Sequence, residues 1–207
     1  MKLLVICGDQ FHPAADVRAG LQPLIDSVPF EFDWYEQNVI NPTSLMFEYD
    51  AVIIAANLRL KFGDIFLQQG EIWYRYVQQG GGLLVLHSGN AGRLSTEPVA
   101  SITGGAFIDH PPECPVQLIP RASHVITSGS IGSFVVTDEQ YRMSIDQGDI
   151  DIFLRSSTAF GVQPAGWTRK TGEGRVCVFT AGHHPEIWLT APFAAMLRNA
   201  LLWISAD

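Results

Sequence analysis

Short runs that are apolar at every position alternate along this chain with longer stretches whose apolar residues recur every three or four places. Residues 3–7, 51–56 and 83–86 have no polar position. Strands of that kind cannot face water on either side, so they predict the centre of a parallel sheet covered by helices. Phe32 and Trp34 alternate with Glu31, Asp33 and Glu36, which suits a strand nearer the sheet edge. Val17, Leu21, Leu24 and Ile25 share one helical face, and Pro23 inside that pattern predicts a helix that is kinked or starts late. Over residues 64–79, Ile65, Ile72 and Tyr76 share a face with Phe66, Trp73 and Val77 beside it, and Gly80, Gly81 and Gly82 end the helix. Residues 41–44, Asn-Pro-Thr-Ser, read as a loop. Strand, helix, strand, helix with short connections is the order of a parallel α/β sheet with right-handed crossovers.

The second half is less regular. Residues 90–114 are rich in Gly, Pro, Ser and Thr and predict loops and a short helix over the site face. Residues 116–119, 134–136 and 150–154 predict strands. Residues 165–169 and 175–180 flank Lys170-Thr171-Gly172-Glu173-Gly174, a hairpin by its glycines. Phe193, Met196, Leu197, Ala200, Leu201 and Ile204 make a closing amphipathic helix, with Thr190 and Pro192 as its start signals. With no repeat and no linker, residues 1–207 read as one domain.

Composition narrows the function. With 47% hydrophobic and 16% charged residues, the 207-residue chain is globular rather than disordered. A net charge of -8 and the lack of any Lys/Arg cluster argue against a nucleic-acid partner. No stretch approaches the roughly 20 apolar residues of a membrane span, and the first apolar run is too short for a signal sequence. A cytoplasmic location without membrane contact is therefore expected. Cys7, Cys114 and Cys177 are far apart and form no CxxC pair, so free thiols are expected, with neither a zinc ribbon nor a redox dithiol.

The stretch GGGLLVLHSGNAGR, residues 80–93, carries the first chemical signal. Ligands of open α/β sheets bind beyond the carboxyl ends of the strands, and His87 and Ser88 stand at such an end. The three glycines precede a strand instead of opening a helix, so no nucleotide cofactor is expected. His12 follows the first predicted strand and His183 follows the last one. If that last strand runs parallel to the others, all three imidazoles converge. Imidazole exchanges protons near neutrality and offers a neutral nitrogen to a metal; each ring taken singly also fits the capping of a loop carbonyl. Glu139 and Tyr141 follow the strand at 134–136, where a carboxylate can orient an imidazole or act as a base. His110 lies in a loop held by Pro111 and Pro112. Ser88 sits in V-L-H-S-G, which lacks the G-x-S-x-G of serine hydrolases.

Six motifs then occur in a telling order: GGGLLVLHSG, ITGGAFIDHP, DEQY, GWTRKTGEGRV, GHHPEIW and LRNALLW. The chain resembles ThuA-like (trehalose-utilisation) proteins, a branch of the class I glutamine amidotransferase-like superfamily, over nearly its whole length. The resemblance implies an α/β, flavodoxin-like three-layer sandwich, its sheet mostly parallel, with a C-terminal hairpin and a closing helix. It also implies a role in handling sugars or their keto derivatives. Where the amidotransferases carry a cysteine nucleophile this chain has His87, so glutamine hydrolysis through a thiolate is not expected. The family pattern carries over to His87, His110, Glu139, Tyr141 and His183. The chain departs from it at Asn90, at His124-Val125-Ile126-Thr127 and at His184, changes that bear on the metal-ligand set and on substrate choice.

The leading expectation is acid–base chemistry on a sugar or keto-sugar, with His87, His183, Glu139 and Tyr141 as the catalytic set. His12, Ser88, Asn90, His110 and His184 are expected to contact the substrate. One alternative is a divalent metal held as a Lewis acid by two or three of His12, His87, His110 and His183. Another is a non-catalytic carbohydrate-binding or scaffold protein. The expected partner is a small sugar-like molecule, and a homo-oligomer is compatible with the sequence.

Overall fold

A computed structural model describes residues 1–36, 45–62, 70–91, 98–129, 132–145 and 149–206. The first strand, β1 (Lys2–Cys7), is followed by α1 (Ala14–Ile25), β2 (Glu31–Tyr35), β3 (Ala51–Ala55), α2 (Leu58–Phe62), α3 (Gly70–Gln78) and β4 (Gly82–Leu86). Next come α4 (Pro98–Thr103), β5 (Gly105–Asp109), β6 (Cys114–Pro120), β7 (Phe134–Asp138), β8 (Arg142–Ile145), β9 (Asp151–Thr158), β10 (Gly161–Thr171) and β11 (Gly174–Phe179). Helices α5 (Pro185–Trp188) and α6 (Ala191–Ile204) complete the order.

Nine strands form one sheet in the order β2-β1-β3-β4-β11-β10-β9-β6-β7. The five from β2 to β11 are mutually parallel, and each later neighbour is antiparallel. The double-sided apolar pattern of β1 follows from two cores. Leu3, Val5 and Cys7 pack with Leu21 of α1 and Leu197 and Leu201 of α6, while Leu4 and Ile6 pack with Trp73 and Val77 of α3. Each such fully buried side chain contributes ~1.5–3 kcal/mol of apolar burial. Outside the main sheet, β5 and β8 pair as an antiparallel ribbon, and Phe107, Tyr141 and Met143 join the second core.

Several local expectations are refined. Helix α1 begins directly after Pro13, and Pro23 falls in its last turn, so the helix ends two residues beyond it at Ile25. Helix α2 is too short to leave a periodic signal in the sequence and rests on Asn57, whose Oδ1 accepts the N–H of Leu60 at 3.2 Å. Only α3 of the helix expected over 64–79 can be traced, because residues 63–69, with Ile65 and Phe66, lie outside the described residues, as does the loop at 41–44. Thr190 stands before α6, but its hydroxyl donates to the Ile187 carbonyl at 2.7 Å instead of capping the helix. Among the described residues no helix is long and apolar enough to cross a membrane.

Candidate functional site

Because β1, β4 and β11 run parallel, their carboxyl ends share one rim, and each delivers a histidine there. His12 lies in the β1–α1 loop, His87 opens a 3-10 turn (His87–Asn90), and His183 follows β11. His87 holds a left-handed backbone, φ 32°, a conformation uncommon for a side chain with a Cβ. The Asn90 amide secures that turn by donating to the carbonyls of His87 (3.2 Å) and Phe179 (2.9 Å). Gly89 is required beside it, since a Cβ there would stand 2.5 Å from the Ile54 carbonyl oxygen.

The ring nitrogens meet face to face. His183 Nδ1 is 3.1 Å from His12 Nε2 and 3.3 Å from His87 Nε2, and the three lie within 4.8 Å of one another. Their neighbours assign the tautomers. His87 Nδ1 donates to the Thr180 carbonyl at 2.7 Å; a carbonyl only accepts, so in the neutral ring Nε2 keeps the lone pair. His12 Nδ1 donates to Asp9, 3.0 Å from Oδ1 and 3.2 Å from Oδ2, which turns its Nε2 lone pair inward as well. Asp9 also accepts the N–H groups of Phe11, His12 and Asn57 at 2.7–2.9 Å. Burial pushes the Asp9 carboxyl up, but the bonds from His12 and the backbone outweigh it and hold it at about 2.

Glu139 closes the cluster. Its Oε2 is 3.4 Å from His87 Nε2, 3.5 Å from His183 Nδ1 and 3.8 Å from His110 Nε2. Burial raises its carboxyl, yet the close approach of His87 and the nearby imidazoles of His183 and His110 bring it to about 2. Burial lowers the His183 pKa and lifts the Tyr141 phenol well above its usual value. The Tyr141 hydroxyl donates to His87 Nε2 at 3.0 Å. Behind these groups, fully buried Asp138 accepts the N–H groups of Glu139 (2.9 Å), Gly182 (2.8 Å) and His183 (3.0 Å), and burial raises its pKa.

The other expected residues are more scattered. His110 stands at the rim, its Nδ1 donating to the Pro111 carbonyl at 3.0 Å. His184 turns outward to Glu113 Oε1 at 3.0 Å, and Asn90 lies beneath the turn. Two cavities flank the cluster. One, about 400 Å³, is lined by Phe11, Asn57, Phe107, His110, Glu139 and Tyr141. The other, about 330 Å³, is lined by Asp16, His87, Ser88, His184 and Trp188, and both share Phe11, His12 and His183. A separate cavity of about 630 Å³ lies around Arg121, His124 and Trp203. His124 is structural there, its Nδ1 accepting the Ile126 N–H.

The spacing has a chemical meaning. Ligand atoms 2.0–2.1 Å from a tetrahedral zinc ion lie about 3.3 Å apart; His183 Nδ1 stands 3.1 and 3.3 Å from His12 Nε2 and His87 Nε2, all three nitrogens lie within 4.8 Å of one another, and Glu139 Oε2 is 3.4 and 3.5 Å from His87 Nε2 and His183 Nδ1. Among the described residues His12, His87 and His183 are grouped closely enough to hold a divalent metal, with Glu139 beside two of them. Asp9, Asp138 and the Thr180 carbonyl escaped the sequence reading. Asp9 left one signal, an aspartate at a strand end two places before Phe11, the spacing of an Asx turn.

The family model described as trehalose utilisation, ThuA, matches residues 2–204. The chain belongs to the ThuA family. That membership supports a role in sugar metabolism. A ThuA-like protein from Bacteroides uniformis is 20% identical, with a TM-score of 0.75 over 99% of this chain and 91% of that one. A ThuA-like protein from Parabacteroides merdae is 17% identical, with a TM-score of 0.80 over 100% and 90%. A protein of Salmonella typhimurium LT2, described as cytoplasmic, is 16% identical, with a TM-score of 0.70 over the whole of both chains. These likenesses carry the fold, a mixed α/β architecture with a large central sheet. A comparison with curated proteins finds no match. In this ThuA chain the turn after β4 presents an imidazole, and the thiols of Cys7 and Cys177 lie buried in β1 and β11, where burial pushes the Cys7 pKa up to about 11 and that of Cys177 well above its usual value.

Proposed function

We propose that this ThuA protein is an enzyme acting on a sugar or keto-sugar at a divalent metal centre made by His12, His87 and His183, with Glu139 as the fourth donor. One observation carries the reading: two fixed tautomers aim their lone pairs at the point that the third imidazole and an ionised carboxylate also face. Two histidines working as proton donor and acceptor need to face the substrate, whereas these rings face each other. A bound cation would polarise a sugar carbonyl or hydroxyl as a Lewis acid. Asp9 and the Thr180 carbonyl hold the ligand rings in register, as outer partners of metal-bound histidines do. Phe11, 62% exposed at the mouth of both cavities, and Phe107 offer apolar faces to a sugar ring. Lysine and arginine are absent from the described linings of both cavities, which suits an uncharged ligand.

The order of the five parallel strands, second-first-third-fourth-fifth along the chain, supports a flavodoxin-like reading of that half. One domain and a cytoplasmic site of action belong to the same proposal. The test is metal analysis of protein purified without chelator, together with a survey of sugars and keto-sugars for turnover by NMR. One ion per chain is expected, lost with all turnover in His87→Ala and His183→Ala. A metal-free preparation with full turnover overturns the metal centre in favour of histidine acid–base chemistry. Saturable sugar binding with no product, unaffected by these substitutions, overturns the enzyme reading altogether.

A further inference from the structure

We infer that the Tyr141 hydroxyl and the metal ion compete for one lone pair on His87, so that metal binding frees Tyr141 as a hydrogen-bond donor to the oxygen of a ligand in the adjoining cavity. The inference rests on the metal centre proposed above.

The argument begins with the Thr180 carbonyl. It takes the Nδ1 proton of His87 at 2.7 Å in a fully buried setting, which leaves the ring a single lone pair, on Nε2. Tyr141 Oη lies 3.0 Å from that atom and donates to it. A cation among the three imidazoles needs the same electrons, and an sp² nitrogen cannot serve both. The phenol cannot swing into water. Tyr141 is 3% exposed, its ring lies edge-on to Phe107 with centroids 4.6 Å apart, and it stacks on His110 at 5.7 Å. Only the O–H bond can turn, and the cavity of about 400 Å³ that Tyr141 lines with Glu139 and His110 is where a ligand oxygen would sit. The hydroxyl is thereby kept from the cavity until the ion is in place.

The consequence is unusual for a residue touching a metal ligand. Removing one neutral hydrogen bond that opposes the ion tightens ion binding by roughly 2- to 10-fold. Losing a donor to a charged oxygen weakens ligand binding by roughly 10- to 100-fold. A purely structural Tyr141 predicts that both weaken together, and a phenolate ligand predicts weaker ion binding.

The experiment is calorimetric titration of zinc into chelator-treated wild type and Tyr141→Phe. It is followed by titration of acetohydroxamate, a small oxygen ligand for zinc, into each zinc-loaded protein, with thermal melts confirming that both are folded. The expected result is tighter zinc and weaker acetohydroxamate binding in Tyr141→Phe, and a tyrosine absorbance change on zinc addition in wild type only. Equal or weaker zinc binding by the folded variant, or unchanged acetohydroxamate affinity, overturns the competition while leaving the metal centre standing. Wild type that takes up no zinc overturns both. Should Tyr141→Phe not fold, the absorbance of wild type decides: a zinc-induced change in the tyrosine band supports the inference and its absence overturns it.

Discussion

Asp9 holds His12 by both carboxylate oxygens, 3.0 and 3.2 Å from Nδ1, and the same two oxygens accept three backbone N–H groups from the loops on either side. The carboxylate therefore selects the tautomer of the ring and makes its inner nitrogen more basic. Partners of this kind are worth about 10- to 100-fold in metal affinity. Asp9→Asn should lower zinc affinity by about that factor in a calorimetric titration while the protein remains folded, because an amide oxygen still accepts part of the set.

The same carboxylate makes stability depend on acidity. Its folded pKa, about 2, lies below the ordinary 3.8, so its contribution is complete above pH ~4 and is lost as pH falls through the folded value. The difference corresponds to about 2 kcal/mol. Asp138 acts in the opposite sense, since its raised folded pKa means that protonation costs the folded state least. Urea melts of wild type between pH 5 and pH 2 should show a falling midpoint, and Asp9→Asn should flatten that fall. An unchanged slope in the variant refutes the assignment.

Asp138→Asn and Asp138→Ala should part company. The asparagine is close to the protonated form that burial favours and keeps, at the Oδ1 position, an acceptor for the N–H groups of Glu139 and His183. The alanine leaves three buried donors unpaired at about 1–3 kcal/mol each. Thermal melts should show a small loss for the first and a large one for the second, with zinc affinity following the same order because Asp138 seats both Glu139 and His183.

Gly89→Ala should be as damaging as a core truncation. The new methyl meets the Ile54 carbonyl and the Val85 side chain, and the strain is relieved only by moving the turn that carries His87. A loss of about 2 kcal/mol or more in chemical denaturation, together with weakened zinc binding, is expected.

The parts of this design that were readable beforehand are those that rest on hydrophobic contrast. The runs at 3–7, 51–56 and 83–86 announced strands covered on both faces, and the ends of two of them pointed to His12 and His87. His183 depended on the direction of β11, which a hairpin signal alone does not supply. Asp9, Asp138 and Thr180 act through backbone geometry, and a polar residue in a loop looks the same in sequence whether it is solvated or clamps three N–H groups. The β5–β8 ribbon was hidden because its strands, four and five residues long, are separated by more than thirty positions.

His12 and His183 touch across a sequence separation of 171 residues, so the first third of a growing chain carries only a fragment of the centre. Contacts of such range form late and make folding slow. An ion at this centre would thereby be withheld from a nascent or half-folded polypeptide and, once captured, would brace the earliest and latest segments of the chain against each other.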